Sequence, residues 1–235
     1  MLFSVALLCQ PALAWEGRLD ENGVQLRWEQ HTIPFVLNPT GDHGIPEDAI
    51  STLVTAATHA WTDPVYGELS FEHEGRTDER GASHTDETNI VYFEDDWTHD
   101  PSLLAVTYLW SDPDGRILGF DLAFNTQHHD WSIDGNPDSN DLLNTLSHEF
   151  GHAIGIDHSP DEELATMYAL SPPGETHKRD LHQDDIDAVV YLYSGTRDLD
   201  GEGKGCSTIR SPHSVPVWWA LLAVCPIIQR RRRLP

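Results

Sequence analysis

The amino-acid sequence predicts an α+β fold, a mixed β-sheet with helices packed against it. Three observations carry the prediction. The elements follow the order strand, helix, several strands, helix, helix. Two strand-rich runs in mid-chain, Ala105–Trp110 and Ile117–Asn125, are joined by Ser111-Asp112-Pro113-Asp114-Gly115, which has hairpin turn chemistry. The segments read as helices keep their apolar residues on one face. A chain of 235 residues suffices for one domain of ordinary size plus appendages.

In order along the chain, Ile33–Asn38 (IPFVLN) reads as the first strand. The first helix spans Ile45–Thr62. Pro46 stands in its first turn, Glu47 and Asp48 suit the positive end of the helix dipole, and Ile50, Leu53, Val54, Ala57 and Trp61 share a face. Leu69–Glu74 and Asn89–Phe93 are short strands, separated by a polar loop over Gly75–Thr88. Glu94–Ser102 is acidic and irregular, and the hairpin follows it. A second helix starts near Ser139–Asp141, where capping residues stand, and Leu143, Leu146, Phe150 and Ile154 are spaced for burial. A third covers Gln183–Tyr193 with Ile186, Val189, Val190 and Tyr193 inward.

Composition narrows the function. Hydrophobic residues make up 39%, enough for a packed core. Fourteen Lys and Arg face 39 Asp and Glu, a formal charge of −25. Every acidic residue lies within residues 15–205, whereas Arg230–Arg233 cluster outside that span. A body this acidic repels phosphate backbones and anionic lipid, so nucleic acid is excluded as a partner of the body. The three cysteines are Cys9, Cys206 and Cys225, so residues 10–205 cannot form an internal disulfide.

Both ends read as processing segments. Leu2–Leu8 is almost wholly apolar and Ala12-Leu13-Ala14 has the A-x-A form, so residues 1–14 read as a signal peptide and the mature chain begins near Trp15. Residues 197–205 read as an acidic linker. Gly205-Cys206-Ser207 comes next, then the uncharged run Val215–Ile228, then Arg230–Arg233. A short apolar run followed by arginines fits an inner-membrane stop with its positive side in the cytoplasm. This tail, residues 206–235, resembles the MYXO-CTERM type of bacterial cell-surface sorting signal. The resemblance implies membrane contact through the tail before processing near Cys206, and display at the cell surface or outside the cell.

The chemistry is concentrated in His148-Glu149-Phe150-Gly151-His152-Ala153-Ile154-Gly155-Ile156-Asp157-His158. On a helix, His148 and His152 lie one turn apart and can aim at one ion. Glu149 can reach a water on that ion without ligating it. Gly155 lets the chain leave the helix, because an unusual backbone conformation costs glycine little, and His158 can then return as a third ligand. Three imidazole nitrogens leave one open position, the arrangement of a catalytic zinc.

This H-E-x-x-H-x-x-G-x-x-H segment resembles the metzincin signature. Gly151, with Ser159 after the last histidine, makes it similar to the matrixin branch, the matrix-metalloprotease-like family. The likeness covers roughly residues 28–195. It implies a metallopeptidase domain at 15–196, built as a twisted mixed five-stranded sheet with three helices and a zinc cleft between upper and lower subdomains. It implies a zinc metalloendopeptidase of extracellular proteins, with one catalytic Zn2+ held by His148, His152 and His158, and Glu149 as general base. Ala165-Thr166-Met167-Tyr168, nine residues past His158, resembles the Met-turn, with Met167 as the floor beneath the zinc. Leu181–Gly195 resembles the family's last helix, with Asp184 or Asp185 bonding the backbone around the Met-turn. Substrate would lie extended beside an edge strand near Leu104–Thr107, touching Leu104 and Ala105, with a specificity pocket walled by Asn144 and by Tyr168–Pro173.

The chain also departs from that pattern. No cysteine lies between Trp15 and Glu29, so the cysteine-switch latency device is missing there. By that likeness a structural zinc is not expected, because Val106 falls where relatives carry one ligand, Phe120 replaces or adjoins another, and His84-x-Asp86 precedes the wrong strand. Calcium is a further candidate ion for the acid-rich loops. Asp198-x-Asp200-Gly-Glu202 has part of a calcium loop, but lacks the closing glutamate and flanking helices. Two other function classes are weighed: a catalytically silent surface adhesion domain, which would be marked by loss of Glu149 or a ligand, and a zinc-stabilised structural protein, which would need a fourth protein ligand. The motif shows neither mark. Oligomeric state is left open.

Overall fold

The protein is described by a computed structural model, which covers residues 14–41, 44–85 and 88–194, and the backbone of 225–228. The expected signal peptide (but for Ala14), the acidic linker with its partial calcium loop, and the tail other than 225–228 lie outside the described residues, as does Asp86.

The described elements are β1 (Thr32–Asn38), α1 (Glu47–Thr62), β2 (Ser70–Arg76), β3 (Ile90–Glu94), β4 (Leu103–Ser111), β5 (Ile117–Asn125), β6 (Trp131–Ser132), β7 (Asn140–Asp141), α2 (Leu142–Ala153), α3 (Gln183–Tyr193) and β8 (Cys225–Ile228). The body contributes five strands in the order β2-β1-β3-β5-β4, and β8 adds a sixth beside β4. β1 pairs parallel with β2 and β3, and β3 pairs parallel with β5. The hairpin β4–β5 is antiparallel, with Val106 opposite Ala123 and Tyr108 opposite Asp121. The expected mixed sheet and three helices are therefore present. β4 extends beyond the expected run at both ends. It is buried along nearly its whole length, as strands covered on both faces are.

The two faces of the sheet carry two cores. Toward the helices, Phe35, Val91, Phe93, Leu109, Phe120, Leu122 and Phe124 meet Ile50, Val54, Ala57 and Trp61 of α1 and Leu142, Leu146 and Phe150 of α2. Phe35, Phe71, Phe120 and Phe150 pack edge to face there, with Phe71 and Phe150 5.1 Å apart. On the far face, Ile90, Tyr92, Trp97, Leu103, Val106 and Ala123 form a smaller cluster. Val106 and Phe120 are both core residues.

Three local expectations are corrected. Pro46 is the residue before the first turn of α1 rather than within it, with ψ 139°, an extended geometry, so the helix starts at Glu47 and not at Ile45. Ile154 is not on α2 but caps its C-terminus, still fully buried. In α3 the buried face is Asp185, Ala188, Val189 and Leu192, while Ile186, Val190 and Tyr193 are only half-buried. The helix is rotated because the Asp185 carboxylate turns inward to accept backbone N–H groups.

Residues 14–30, not assigned to any element from sequence, form a strap. Arg18 donates its backbone N–H to Gly155 O at 2.9 Å, Asp157 donates to Glu16 O at 2.8 Å, Arg27 donates to Gly115 O at 3.0 Å, and Ile117 donates to Arg27 O at 2.8 Å. The strap so joins the end of α2 to the β4–β5 turn. Among the described residues no helix is long and apolar enough to cross a membrane.

Candidate metal centre

Helix α2 begins where Asp141 caps it, its side chain accepting the Asn144 N–H at 3.0 Å. Arg179 in turn holds Asp141 through both carboxylate oxygens. The helix then runs through the sheet's underside, buried at almost every residue, including His148, Glu149 and His152. Polar side chains at such positions must find partners or ligands.

Gly155 follows the C-cap Ile154, and its φ is +86°. A Cβ there would sit 2.3 Å from Leu26 O, so both backbone twist and space demand glycine. Beyond it the chain turns back and brings His158 to the other two histidines. The ring centroids of His148 and His152 are 4.7 Å apart, those of His152 and His158 4.9 Å, and those of His148 and His158 5.2 Å. One nitrogen from each ring lies within 4.8 Å of the others. The structure therefore brings together the three residues expected as ligands.

The donor set fits a metal. His148 Nδ1 is 2.6 Å from Thr166 O, and His152 Nδ1 is 2.8 Å from Ile156 O. A carbonyl accepts, so each Nδ1 carries the proton and each Nε2 presents a lone pair. Both Nε2 atoms are buried with no hydrogen-bond partner in the protein. Burial, followed by the neighbouring rings and cations, holds the His148 and His152 imidazoles well below their ordinary pKa. Burial likewise lowers His158 to about 4. Neutral imidazoles are what a transition metal requires of its nitrogen ligands. Among the described residues this trio is the one group of three or more His, Cys, Asp or Glu whose ligand atoms converge in this way.

Glu149 follows His148 on the same helix and is fully buried. Its Oε2 accepts the Thr107 hydroxyl of β4 at 2.5 Å, while its Oε1 is buried without a partner. Burial pushes its carboxyl up to about 8, against the Thr107 hydroxyl and the charges of Arg18 and Lys178, which favour the carboxylate. A carboxylate with one oxygen anchored and the other bare can take and return a proton at neutral pH.

The segment expected as the Met-turn packs against α2. Met167 is fully buried, and a Cβ added at Gly151 would come within 2.3 Å of its sulfur. Asp185, not Asp184, bonds the turn: its oxygens accept Thr166 N–H at 2.7 Å and Met167 N–H at 3.0 Å. Asp184 instead accepts the N–H groups of Ala14 and Trp15 and the Ser159 hydroxyl.

The expected substrate contacts fare differently. Leu104 and Ala105 have side chains with no exposure, so only their main chain could meet a peptide. The outer side of β4 is also not a free edge, since Leu103, Val106 and Thr107 pair with Ile228, Pro226 and Cys225 of β8. Asn144 is 1% exposed and fully engaged, donating to Ser171 Oγ and Glu175 Oε1 and accepting the Lys178 N–H, so it supports a wall rather than lining one. Tyr168 is half-buried. Sequence reading missed Thr107, Arg18 and Lys178. Nothing local marks a strand threonine as the partner of a distant carboxylate, or a lysine as buried.

Comparison with known proteins agrees with this geometry. The profile of the matrixin family matches residues 27–194. Matrix metalloproteinase-27 of Tupaia belangeri is 36% identical over 93 residues, covering 40% of this chain and 17% of the relative. Matrix metalloproteinase-18 of Xenopus laevis is 26% identical over 174 residues, covering 71% of this chain and 33% of the relative. A probable matrix metalloproteinase (095L) of Invertebrate iridescent virus 3 is 39% identical over 82 residues, covering 34% and 21%. The chain thus spans a third or less of each of these relatives.

Proposed function

Since the chain belongs to the matrixin family, as the match over residues 27–194 shows, we propose that it is a zinc-dependent endopeptidase that cuts extended polypeptides outside the cytoplasm. One observation carries the reading: ring nitrogens of His148, His152 and His158 converge within 4.8 Å of one another, while the buried Nε2 atoms of His148 and His152 and the buried Oε1 of Glu149, next to His148 in the same helix, have no hydrogen-bond partner.

His148, His152 and His158 would hold the zinc. When bound, it would supply Lewis acidity, polarising the scissile carbonyl and lowering the pKa of a water molecule. The remaining chemistry belongs to the chain. Glu149 takes a proton from the attacking water through Oε1 as the water oxygen bonds to the carbonyl carbon. It then gives that proton to the amide nitrogen as the carbon–nitrogen bond breaks. Thr107 keeps Oε2 turned away, so the carboxylate meets the reaction in one orientation. Met167 packs beneath the ligand helix. Substrate adds along the main chain of β4 near Leu104 and Ala105, and its side chain beyond the cut bond faces the wall at Tyr168–Pro173. The N-terminal segment directs export, and the C-terminal segment anchors the chain until it is cut near Cys206. Calcium is a second candidate ion for the acid-rich loops.

The test uses the zinc-loaded chain with denatured casein, with and without chelator, beside Glu149→Gln. Cleavage should vanish with chelator and fall about 10²–10⁴-fold in the variant. Equal cleavage by the variant would remove the peptidase reading and leave a binding domain on the same fold.

A further inference from the structure

Lys178 is fully buried, an unusual place for an ammonium group. Its Nζ donates to Tyr168 O at 2.6 Å and to Leu170 O at 2.8 Å, and lies 3.4 Å from Glu175 Oε1. Those two carbonyls bracket Ala169, so a single cation grips the segment that follows the Met-turn. Glu175 Oε1 also accepts from Ser171 Oγ at 3.1 Å and from Asn144 Nδ2 at 3.2 Å. Asn144 returns the link by accepting the Lys178 N–H at 2.8 Å. The network therefore ties the segment 168–175 to the first turn of α2, one helical turn ahead of His148. Each group in it is saturated from within: Asn144 donates twice and accepts once, and Ser171 is shared between Asn144 and Glu175. A fully buried cation paired with a partly buried carboxylate costs desolvation that well-packed apolar residues would avoid, so stability alone does not explain them.

We propose that Lys178, compensated by Glu175, is a positioning residue that fixes the Tyr168–Pro173 wall against the metal-bearing helix and thereby sets which substrate side chain the enzyme accepts beside the cut. The inference rests on the peptidase reading above. A rigid wall discriminates between side chains that differ by one methylene by on the order of 10-fold or more, and a wall freed to repack does not.

The experiment compares the full zinc-loaded chain with Lys178→Met, a substitution of similar length without charge, and with Glu175→Gln, which keeps the shape and removes the compensating charge. Two readouts are taken: cleavage of a peptide library varied at the residue after the cut, and hydrogen exchange of the backbone amides between Tyr168 and Glu175. We expect stoichiometric zinc in both variants, exchange across 168–175 at least about 10-fold faster, and library discrimination reduced to about 2-fold, with KM moving more than kcat. A variant that binds zinc and keeps both the wild-type profile and wild-type exchange overturns the proposal, as does faster exchange with an unchanged profile. If Lys178→Met does not fold, Glu175→Gln decides alone. If the wild-type chain cleaves nothing, the peptidase reading fails and takes the specificity role of Lys178 with it, whereas an altered profile in an active enzyme upholds both.

Discussion

The backbone of Gly151 lies against the Met167 thioether so closely that a Cβ on the glycine would fall 2.3 Å from the sulfur and 2.6 Å from Trp61 Cζ2. The ligand helix, the Met-turn and α1 thus meet at a point with no room for a methyl group. Trp61 adds a second tie, its Nε1 donating to Ser147 O at 2.7 Å, immediately before His148.

Gly151→Ala must therefore displace Met167, Trp61 or the helix itself. Overpacking of this kind costs about 1–3 kcal/mol. Thermal unfolding of the zinc-free protein should show that loss, and competition with a chromophoric chelator should show weaker zinc binding, because the displaced helix carries His148 and His152.

Asp185 accepts three backbone N–H groups, the buried ones of Thr166 and Met167 and the partly buried one of His182. Asp185→Ala leaves them unpaired and should destabilise the fold by at least ~1–3 kcal/mol. Thr166 O holds the His148 ring, so activity should fall further than stability explains. Denaturant unfolding beside kcat/KM at a temperature where the variant is folded separates the two losses.

The buried histidines give the zinc-free protein a defined acid sensitivity. Above pH 6.5 the rings are neutral in both native and unfolded chains. Below it the unfolded chain binds protons, while His158 resists down to about 4 and burial holds His148 and His152 well below the ordinary value. The unfolded state then carries more protons, so stability falls as pH drops from about 6.5 toward 4. Urea midpoints across that window should fall steadily in the wild type and less steeply in His158→Gln. An equal slope in the variant would exclude His158 as a source.

Cys225–Ile228 pair with β4 through Leu103, Val106 and Thr107, the stretch proposed to seat substrate. A strand held there competes with a peptide for the same backbone groups. A chain ending at Gly205 should show a lower KM for an extended peptide with kcat unchanged, and adding a peptide of residues 222–231 should raise it again. An unchanged KM would mean that substrate does not use this side of β4.

Much of the architecture could be read locally. The β4–β5 hairpin follows from Asp112-Pro113-Asp114-Gly115 between two apolar runs, and Gly115 takes φ +80° as such a turn requires. The ends of α3 match the expected Gln183–Tyr193, because Asp184 and Asp185 sit in its first turn. Its inward face was not legible, since periodicity ranks Ile186 above an aspartate, and only the Met-turn N–H groups repay burying Asp185.

The sequence by itself determined the three-histidine cluster: histidine spacing sets two imidazoles one turn apart, and a glycine that tolerates positive φ allows the third to return. These are properties of one stretch of backbone and need no partner from elsewhere. The tertiary structure alone decided what surrounds that stretch. Thr107 comes 42 residues before Glu149 to anchor its carboxylate, Lys178 comes 34 residues after Asn144 to brace a wall, and the strap at Arg18 closes over Gly155. Such pairings leave no local trace, because hydrogen bonds and charges act across space, where chain order has no bearing on distance.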